Sequence, residues 1–440
     1  ELALSHTGSL AGSGAVMDAF FERIGVISAG SIPVLLEALK ILHVHGRLPG
    51  KTMVSMSCSG GEALLTSDIA ERTSLEFRAF DTDEKTRIKA TTHELVTVDN
   101  PFDYHTFDWG KWDRVVETYT EVLRCGFDMA SLVLDFPRDD RCDPTDWIDA
   151  TDALRKATVA TGAASAVVAT LHEAFPEDVA EGLMRDGIVP LFGLDEALLA
   201  VDACSEPDDA GPAPVFAGLQ QEAGQAVSNL TEWEAKCRLA EVGVCVPAGE
   251  LCTSQDAAIA AFERLGGPVA AKAVSPEVLH KTEQGAVRLG LEDVSSVGAA
   301  FGALAPLGDV VLIEAMAGPA VADLIVGVRR DPIVGLYLLA GSGGVTAELV
   351  RDTRIVLLPA SGEAVRAALL DLQLAPLLTG YRGRPAGDIG AVVQQIMAVQ
   401  DFALAHAACL EELEINPLLV HAEGSGATAV DALMRLRETT

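Results

Sequence analysis

Two patterns of apolar positions follow one another along the chain. From residue 48 to 205, short apolar runs alternate with amphipathic helical stretches, which is typical of a doubly wound parallel sheet. The pattern begins with TMVSMSCSGGEALLTSDIAE, which predicts a strand, a glycine turn and a helix. Further strands are predicted at 94–98, 131–136, 165–170 and 188–193. We therefore expect an α/β domain over residues 48–205.

After residue 229 the pattern changes to helices mixed with longer strands. Thr231 and Glu234 have the spacing of a capping box, which predicts that a helix begins there. The whole of 229–440 is predicted to be an α+β domain. Residues 206–228 are rich in proline, glycine and acidic side chains, as expected of a linker. Residues 1–47 predict too few strands to bury a sheet, so they are expected to be the C-terminal part of a further domain.

The composition is that of a folded and strongly acidic protein. Its formal net charge is −32, and nucleic-acid binding needs a basic face, so no nucleic-acid partner is expected. No uninterrupted apolar run approaches the roughly 18 residues of a membrane span, so no membrane partner is expected. The eight cysteines have no metal-ligand spacing and are typical of a reducing compartment. We therefore expect a cytoplasmic protein.

A lysine followed by a glycine-containing loop lies in the segment PVAAKAVSPEVLHKTEQGAVRLG. Lys272 is predicted to end a buried strand, and the loop separates it from the next strand. A cationic side chain beside such a loop is suited to bind nucleotide phosphates. A lysine at a strand end is usually solvated, so we expect its removal to cost little stability.

Three side chains with oxygen donors lie in the predicted C-terminal strands. Glu414 and Asn416 alternate on one face of the strand LEELEINPLLV, and Asp431 follows on the neighbouring strand VDAL. Mg²⁺ prefers a few carboxylates together with nucleotide phosphates. Glu414, Asn416 and Asp431 are therefore the predicted metal ligands, and ATP with Mg²⁺ is the predicted ligand pair.

These motifs occur together, and in the same order, in a known enzyme superfamily. The segments LTEWEAKCRLAEVGVCVP, PVAAKAVSPEVLHKTEQGAVRLGL, LLAGSGGVTAELVRDT and LEELEINPLLV resemble the ATP-grasp half of NDP-forming acyl-CoA synthetases. SHTGSLAG resembles the phosphohistidine loop of that superfamily, and CSGGEALLTSDIAE resembles its second flavodoxin-like domain. The resemblance implies flavodoxin-like, doubly wound parallel-sheet domains followed by an ATP-grasp domain of two subdomains.

The resemblance also implies roles for single residues. His6 falls on the phosphorylated histidine, and His280 falls on a second phosphohistidine of the ADP-forming acetyl-CoA type, on a loop that would swing between sites. Gly60 and Gly61 would hold the phosphoryl group at a helix N-terminus. The implied ATP site consists of Lys272 and Glu348 near the phosphates, Glu314 near the adenine and ribose, and Asn416 and Asp431 at Mg²⁺.

The implied reaction joins a carboxylic acid to CoA while ATP becomes ADP, through phosphohistidine and acyl-phosphate intermediates. The aromatic-rich loop NPFDYHTFDWG hints at an acid other than acetate, and a homodimer is expected. The CoA-binding domain of the superfamily is expected in a longer polypeptide or in another subunit. Two alternatives stay open: an ATP-grasp carboxylate–amine ligase, and a non-catalytic acyl-CoA or nucleotide sensor of the same fold.

Overall fold

The computed structural model describes residues 13–437 apart from 139, 206–216, 218–225, 276–284, 309, 345–349 and 351. The chain forms two compact units. One comprises Glu1–Ile24 and Pro212–Thr440, and the other comprises Gly25–Gly211. The first helix, α1 (Ser13–Arg23), belongs to the former unit, where Val16 packs against Tyr337 and Leu357. Residues of the predicted segment 1–47 are therefore distributed over both units.

The unit Gly25–Gly211 is built on a five-stranded parallel sheet with helices on both faces. The strands are β1 (Met53–Ser57), β2 (Phe102–Asp103), β3 (Met129–Val133), β4 (Ser165–Ala169) and β5 (Ile188–Phe192), in the spatial order β2-β1-β3-β4-β5. The helices are α2 (Ile32–Val44), α3 (Gly60–Ala70), α4 (Thr82–Thr91), α5 (Trp112–Leu123), α6 (Thr145–Thr161), α7 (Glu177–Arg185) and α8 (Leu194–Cys204), with a 3₁₀ turn at His172–Ala174. The predicted doubly wound sheet is confirmed.

The strands of this sheet are buried on both faces. In β3, Ala130 and Leu132 belong to the core formed with α5 and α6, whereas Met129 and Val133 belong to the core formed with α2 and α8. Strands of this kind carry apolar residues continuously rather than at alternate positions. That is why the apolar runs at 131–136, 165–170 and 188–193 predict β3, β4 and β5.

The predicted strand at 94–98 is wrong. The edge of the sheet is formed by β2, which pairs Phe102 with Met56 of β1. Val96 and Val98 lie in the same core at 2% and 7% exposure, although no strand ladder includes them. Their alternation with polar residues reflects packing of an extended connection against the core.

The other unit contains two antiparallel sheets. The strands are β6 (Val227–Asn229), β7 (Gly249–Cys252), β8 (Val269–Val274), β9 (Val287–Leu291), β10 (Val310–Ala315), β11 (Ala322–Asp331), β12 (Gly335–Ser342), β13 (Thr353–Leu357), β14 (Leu410–Val420), β15 (Ala427–Ala429) and β16 (Ala432–Arg437). The smaller sheet has the order β7-β10-β8-β9, and the larger has the order β13-β12-β11-β14-β16-β6 with β15 beside β14. Each sheet has its own apolar core, which agrees with two predicted subdomains.

Helices cover both of these sheets. They are α9 (Glu232–Glu241), α10 (Gln255–Leu265), α11 (Val294–Leu304), α12 (Gly362–Leu370), α13 (Ala375–Thr379) and α14 (Ile389–Ala405), with a 3₁₀ turn at Ala305–Leu307. The predicted capping box at the start of α9 is confirmed, because Thr231 accepts from the Glu234 N–H and Glu234 accepts from the Thr231 N–H. This cap fixes the first turn of α9, which carries a residue of the site described next.

Candidate active site

Four charged side chains link α9 to the smaller sheet. Glu232 and Lys236 are four residues apart on α9, so they lie on the same face of the helix. Lys272 lies on β8, and Glu314 lies on the neighbouring strand β10. We refer to these four residues as the lysine–glutamate tetrad.

Each lysine of the tetrad contacts both glutamates. Lys272 Nζ lies 2.8 Å from Glu232 Oε1 and 2.6 Å from Glu314 Oε1. Lys236 Nζ lies 2.8 Å from the same Glu232 oxygen and pairs with Glu314 Oε2. Lys272 also donates a hydrogen bond to the carbonyl oxygen of Val430 at 2.6 Å. The geometry fixes the position of the Lys272 ammonium group from three sides.

The tetrad is almost completely withdrawn from water. Side-chain exposure is 0% for Glu232, 1% for Lys236, 2% for Glu314 and 6% for Lys272. Buried charges are tolerated when they are paired, and two positive and two negative charges balance here. Burial by itself lowers the pKa of Lys272, but Glu232, Glu314 and Asp431 together outweigh it, so the pKa lies well above its ordinary value. Lys272 is therefore a fixed cation.

The expectation that Lys272 is solvated is wrong, because β8 is buried along its whole length. Glu314 is predicted to lie near the adenine and ribose. In the structure its carboxylate pairs with both lysines of the tetrad. Sequence reasoning missed Glu232 and Lys236, which it treated only as part of a helix start. The available signal was their spacing of four residues beside the apolar position Ala235, which is buried.

The connection between β15 and β16 joins the tetrad to the predicted metal ligands. Val430, which accepts from Lys272, is followed by Asp431. The Asp431 carbonyl oxygen accepts a hydrogen bond from the Asn416 N–H at 3.3 Å. Lys272, Asn416 and Asp431 are therefore brought together in one region, as predicted for a nucleotide site.

A β-bulge in β14 positions Asn416. Leu324 of β11 pairs with Leu418, whereas Val326 pairs with Ile415, so β14 advances three residues while β11 advances two. The extra residue falls at Asn416–Pro417, beside the connection that carries Asp431. Bulges of this kind commonly redirect a side chain at a functional site.

A glycine turn contacts the same asparagine. Asn416 Oδ1 accepts a hydrogen bond from the Gly344 N–H at 2.9 Å, and the Asp323 carbonyl oxygen accepts from the Gly343 N–H at 2.9 Å. A Cβ atom at Gly343 would lie 2.3 Å from the backbone carbon of Leu324, so no other residue fits there without a backbone shift. Gly344 has φ +67°, which also favours glycine. The turn therefore places the start of the glycine-rich segment in contact with Asn416.

The third predicted metal ligand, Glu414, is 4% exposed. It alternates with Leu413 and Ile415, which face the core of the larger sheet. Among the residues that the structure describes, no group of three or more His, Cys, Asp or Glu side chains is arranged to hold a metal ion. Mg²⁺ commonly takes only one or two carboxylates and completes its shell with phosphate and water oxygens, so Asn416 and Asp431 fit it only together with a nucleotide.

The predicted phosphoryl-binding glycines lie in the unit Gly25–Gly211. Gly60 and Gly61 begin α3 directly after β1, at the carboxyl edge of the parallel sheet. The N-cap residue Ser59 makes no side-chain cap hydrogen bond. A helix N-terminus of this kind favours an anion, which agrees with the predicted role but does not test it.

An acidic group surrounds this helix start. Glu62 follows the two glycines, and Asp103 at the end of β2 and Asp135 after β3 flank it. Burial, then Asp135, then Asp103 raise the pKa of Glu62 to about 7. Both aspartates have their own partners: Asp103 accepts from the His105 N–H, and Asp135 accepts from the Thr170 N–H. The charge of Glu62 therefore changes near neutral pH.

Three predicted site residues, His6, His280 and Glu348, lie outside the described residues. Their roles as phosphohistidines and as an ATP-binding glutamate stay predictions.

Comparison with known proteins shows which domain family contains most of these site residues. Residues 222–436, which include the tetrad, Asn416 and Asp431, match the ATP-grasp domain family. A trans-feruloyl-CoA synthase from an unknown prokaryotic organism is 31% identical over 99% of this chain and 62% of its own length.

The chain contains an ATP-grasp domain, and its homologues are ADP-forming acetate–CoA ligases and related CoA ligases.

Two further relatives match about half of the chain. The β subunit of an ADP-forming acetate–CoA ligase II from Pyrococcus furiosus is 28% identical over 50% of this chain and 96% of the subunit. The acetyl-coenzyme A synthetase 1 of Ca. Korarchaeum cryptofilum, solved with coenzyme A and a nucleotide analogue, is 29% identical over 48% of this chain and 94% of its own, with a TM-score of 0.45. The chain spans a little under two thirds of the full-length relatives it matches.

In the described part of the chain, no helix combines the length and the apolar character that crossing a membrane requires.

Proposed function

We propose that this chain supplies the nucleotide-binding and phosphoryl-transfer parts of an ADP-forming acyl-CoA ligase. One observation supports this above the others. Inside the ATP-grasp domain, a permanently charged Lys272 is held at a fixed position beside Asn416 and Asp431. A fixed cation next to oxygen ligands for Mg²⁺ is what the transfer of a γ-phosphoryl group requires, because catalysis of that step is mainly positioning and charge stabilisation.

The proposed reaction has three steps. A histidine nitrogen attacks the γ-phosphorus of ATP, and ADP leaves. The carboxylate of the acid then attacks the phosphohistidine phosphorus, which gives an acyl phosphate and frees the histidine. Finally the CoA sulfur attacks the acyl carbon, inorganic phosphate leaves, and the thiol proton passes to solvent or to the phosphate. A neutral imidazole suits the first step because its ordinary pKa leaves it largely unprotonated near pH 7.

The metal and the anion-binding groups have separate roles in this proposal. Asn416 and Asp431, together with Glu414, would hold Mg²⁺, which supplies charge neutralisation to the phosphates when bound. Lys272 would place its fixed positive charge beside the transferred phosphoryl group. Gly60 and Gly61 at the start of α3 would bind the phosphoryl group through their backbone N–H groups.

The acid is proposed to be larger than acetate. The loop 100–110 of the parallel-sheet unit carries aromatic pairs, with His93 stacked on Phe107 at 4.6 Å and Trp109 against Trp147 at 5.0 Å. The similarity to a trans-feruloyl-CoA synthase supports an aromatic acid. A panel of acids that includes ferulate, 4-hydroxybutyrate and acetate, assayed for CoA-dependent ADP release by the full-length ligase, decides among them.

The central test removes the fixed cation without unbalancing the tetrad. Lys272→Met alone leaves two carboxylates with one lysine and is expected to destabilise the fold by about 3–5 kcal/mol. Lys272→Met/Glu314→Gln keeps one lysine and one glutamate, so it is expected to fold nearly as well as the wild type. We expect this double variant to lose Mg²⁺-dependent ³²P transfer from γ-labelled ATP to the protein.

The control is Arg264→Met, which removes an exposed cation from α10 in the same subdomain. It should label like the wild type. Normal labelling of a folded Lys272→Met/Glu314→Gln variant would refute the proposed role of Lys272.

Each phosphoryl transfer requires reacting atoms within roughly 3–3.5 Å. We therefore expect the phosphoryl group to pass first from ATP to His280 and then from His280 to His6. His280→Ala should abolish labelling by ATP, whereas His6→Ala should still label on His280. Acid-labile label measured on each single variant tests this relay. Undiminished labelling of His280→Ala would mean that His280 is only a loop residue.

A further inference from the structure

Lys236 has no assigned role in the proposed reaction, although it is the most completely buried cation of the tetrad. Its Nζ atom lies 2.8 Å from Glu232 Oε1, pairs with Glu314 Oε2 and lies 3.4 Å from the Val430 carbonyl oxygen. Its side chain is 1% exposed. Lys272, at 6% exposure, is the more accessible of the two lysines.

The charge balance of the tetrad shows what Lys236 does for its neighbour. Glu232 and Glu314 each contact both lysines, so the two carboxylates are shared between two ammonium groups. Without Lys236, Lys272 would face two glutamate charges alone, with Asp431 as a third negative neighbour. An ammonium group surrounded by excess negative charge has little attraction left for phosphate oxygens.

We propose that Lys236 is a positioning residue that sets the affinity of the site for nucleotide phosphates, by neutralising one of the two glutamate charges that hold Lys272. Glu232 and Glu314 fix the place of the Lys272 ammonium, and Lys236 offsets their second charge. The pair of glutamates then orients Lys272 without cancelling its positive field. This inference rests on the proposed function, because it assumes that Lys272 meets a nucleotide.

The proposal makes opposite predictions for two substitutions that each remove tetrad contacts. Lys236→Met leaves one glutamate charge uncompensated and should weaken binding of Mg²⁺·AMPPNP by about tenfold or more. Glu232→Gln removes one negative charge and should strengthen it. The double variant Lys236→Met/Glu232→Gln restores the balance and should return to within about threefold of the wild type. A purely structural role predicts that both single variants weaken binding.

Adenosine serves as the control ligand, because it has no phosphate groups whose binding could depend on Lys272. Its affinity, measured by competition, should change little in any of the three variants. Arg238→Met is the matched protein control, because it removes a less buried cation from the same helix, two residues away. It should bind Mg²⁺·AMPPNP like the wild type.

The experiment is calorimetric titration of the full 440-residue chain at a temperature where circular dichroism shows each variant folded. Equal affinity of Lys236→Met and wild type for Mg²⁺·AMPPNP would overturn the proposal, as would weaker binding by Glu232→Gln. If Lys236→Met does not fold, Glu232→Gln and the double variant still decide by the same criteria. A wild-type chain that fails to bind Mg²⁺·AMPPNP would instead remove the proposed function itself.

Discussion

Lys272 is buried and Glu62 is half-buried, and the pKa of each is raised for a different reason. For Lys272, burial favours the neutral amine, but the surrounding carboxylates outweigh it and keep the ammonium charged. For Glu62, burial favours the neutral acid, and Asp135 and Asp103 act in the same direction, which raises the pKa to about 7. Lys272 therefore keeps its charge throughout the physiological range, whereas Glu62 changes its charge within it.

The raised pKa of Glu62 predicts a pH dependence of stability. The folded state binds the Glu62 proton more tightly than the unfolded state does, whose pKa is near the ordinary 4.5. The stabilisation from the bound proton is therefore fully present below pH 4.5 and is lost as the pH rises through 7. Because Glu62 is half-buried, solvent screening reduces the loss below the roughly 3 kcal/mol that the full pKa shift would give.

Glu62→Gln should remove this loss, so the variant should be more stable than the wild type at pH 8 and similar to it at pH 4.5. Urea unfolding at both pH values measures the difference. The control is Glu71→Gln, an exposed glutamate after the end of α3, which should follow the wild type. A Glu62→Gln variant with the same pH profile as the wild type would show that Glu62 ionises normally.

Among the elements, the turn after β12 leaves no room for a side chain at Gly343. Gly343→Ala would push a Cβ atom into the backbone of Leu324 on β11, so one of the two strands must shift. We expect a loss of about 1–3 kcal/mol in the free energy of unfolding, together with weaker nucleotide binding, since Gly344 is the donor to Asn416. Gly302→Ala on α11 has open space around its Cβ position and should stabilise the chain by up to about 1 kcal/mol. Chemical denaturation of both variants checks the contrast.

The elements also show what the sequence could and could not predict. The strands β3, β4 and β5 were predictable because burial on both faces produces continuous apolar runs. The α9 cap was predictable because Thr231 and Glu234 interact within one turn. The tetrad was not, since it depends on the tertiary approach of α9 to β8 and β10. The bulge at Asn416–Pro417 was also hidden, because one extra residue in β14 changes the pairing without changing the apolar composition.

For the whole molecule, the net charge of −32 makes binding of the proposed anionic substrate, ATP, a local problem. The chain has 64 acidic and 32 basic side chains, so its average field repels ATP. Attraction must come from cations held at short range, and the ATP-grasp domain provides Lys272 inside a balanced cluster. The same acidic field is the reason that no nucleic-acid partner is expected, because an extended phosphate backbone would need a broad basic face.

Binding of a non-hydrolysable nucleotide is therefore expected to stabilise one unit of the chain selectively. A ligand that binds only the folded form stabilises it by mass action, and the effect falls on the parts whose opening would release the ligand. Amide hydrogen exchange with and without Mg²⁺·AMPPNP should slow at 231–241, 269–274, 310–315 and 410–432, which contain the tetrad, the bulge and Asp431. Exchange in β1, β3 and β4 of the parallel sheet should change much less. Protection confined to the parallel sheet would place the nucleotide in the other unit and contradict the assignment of Lys272.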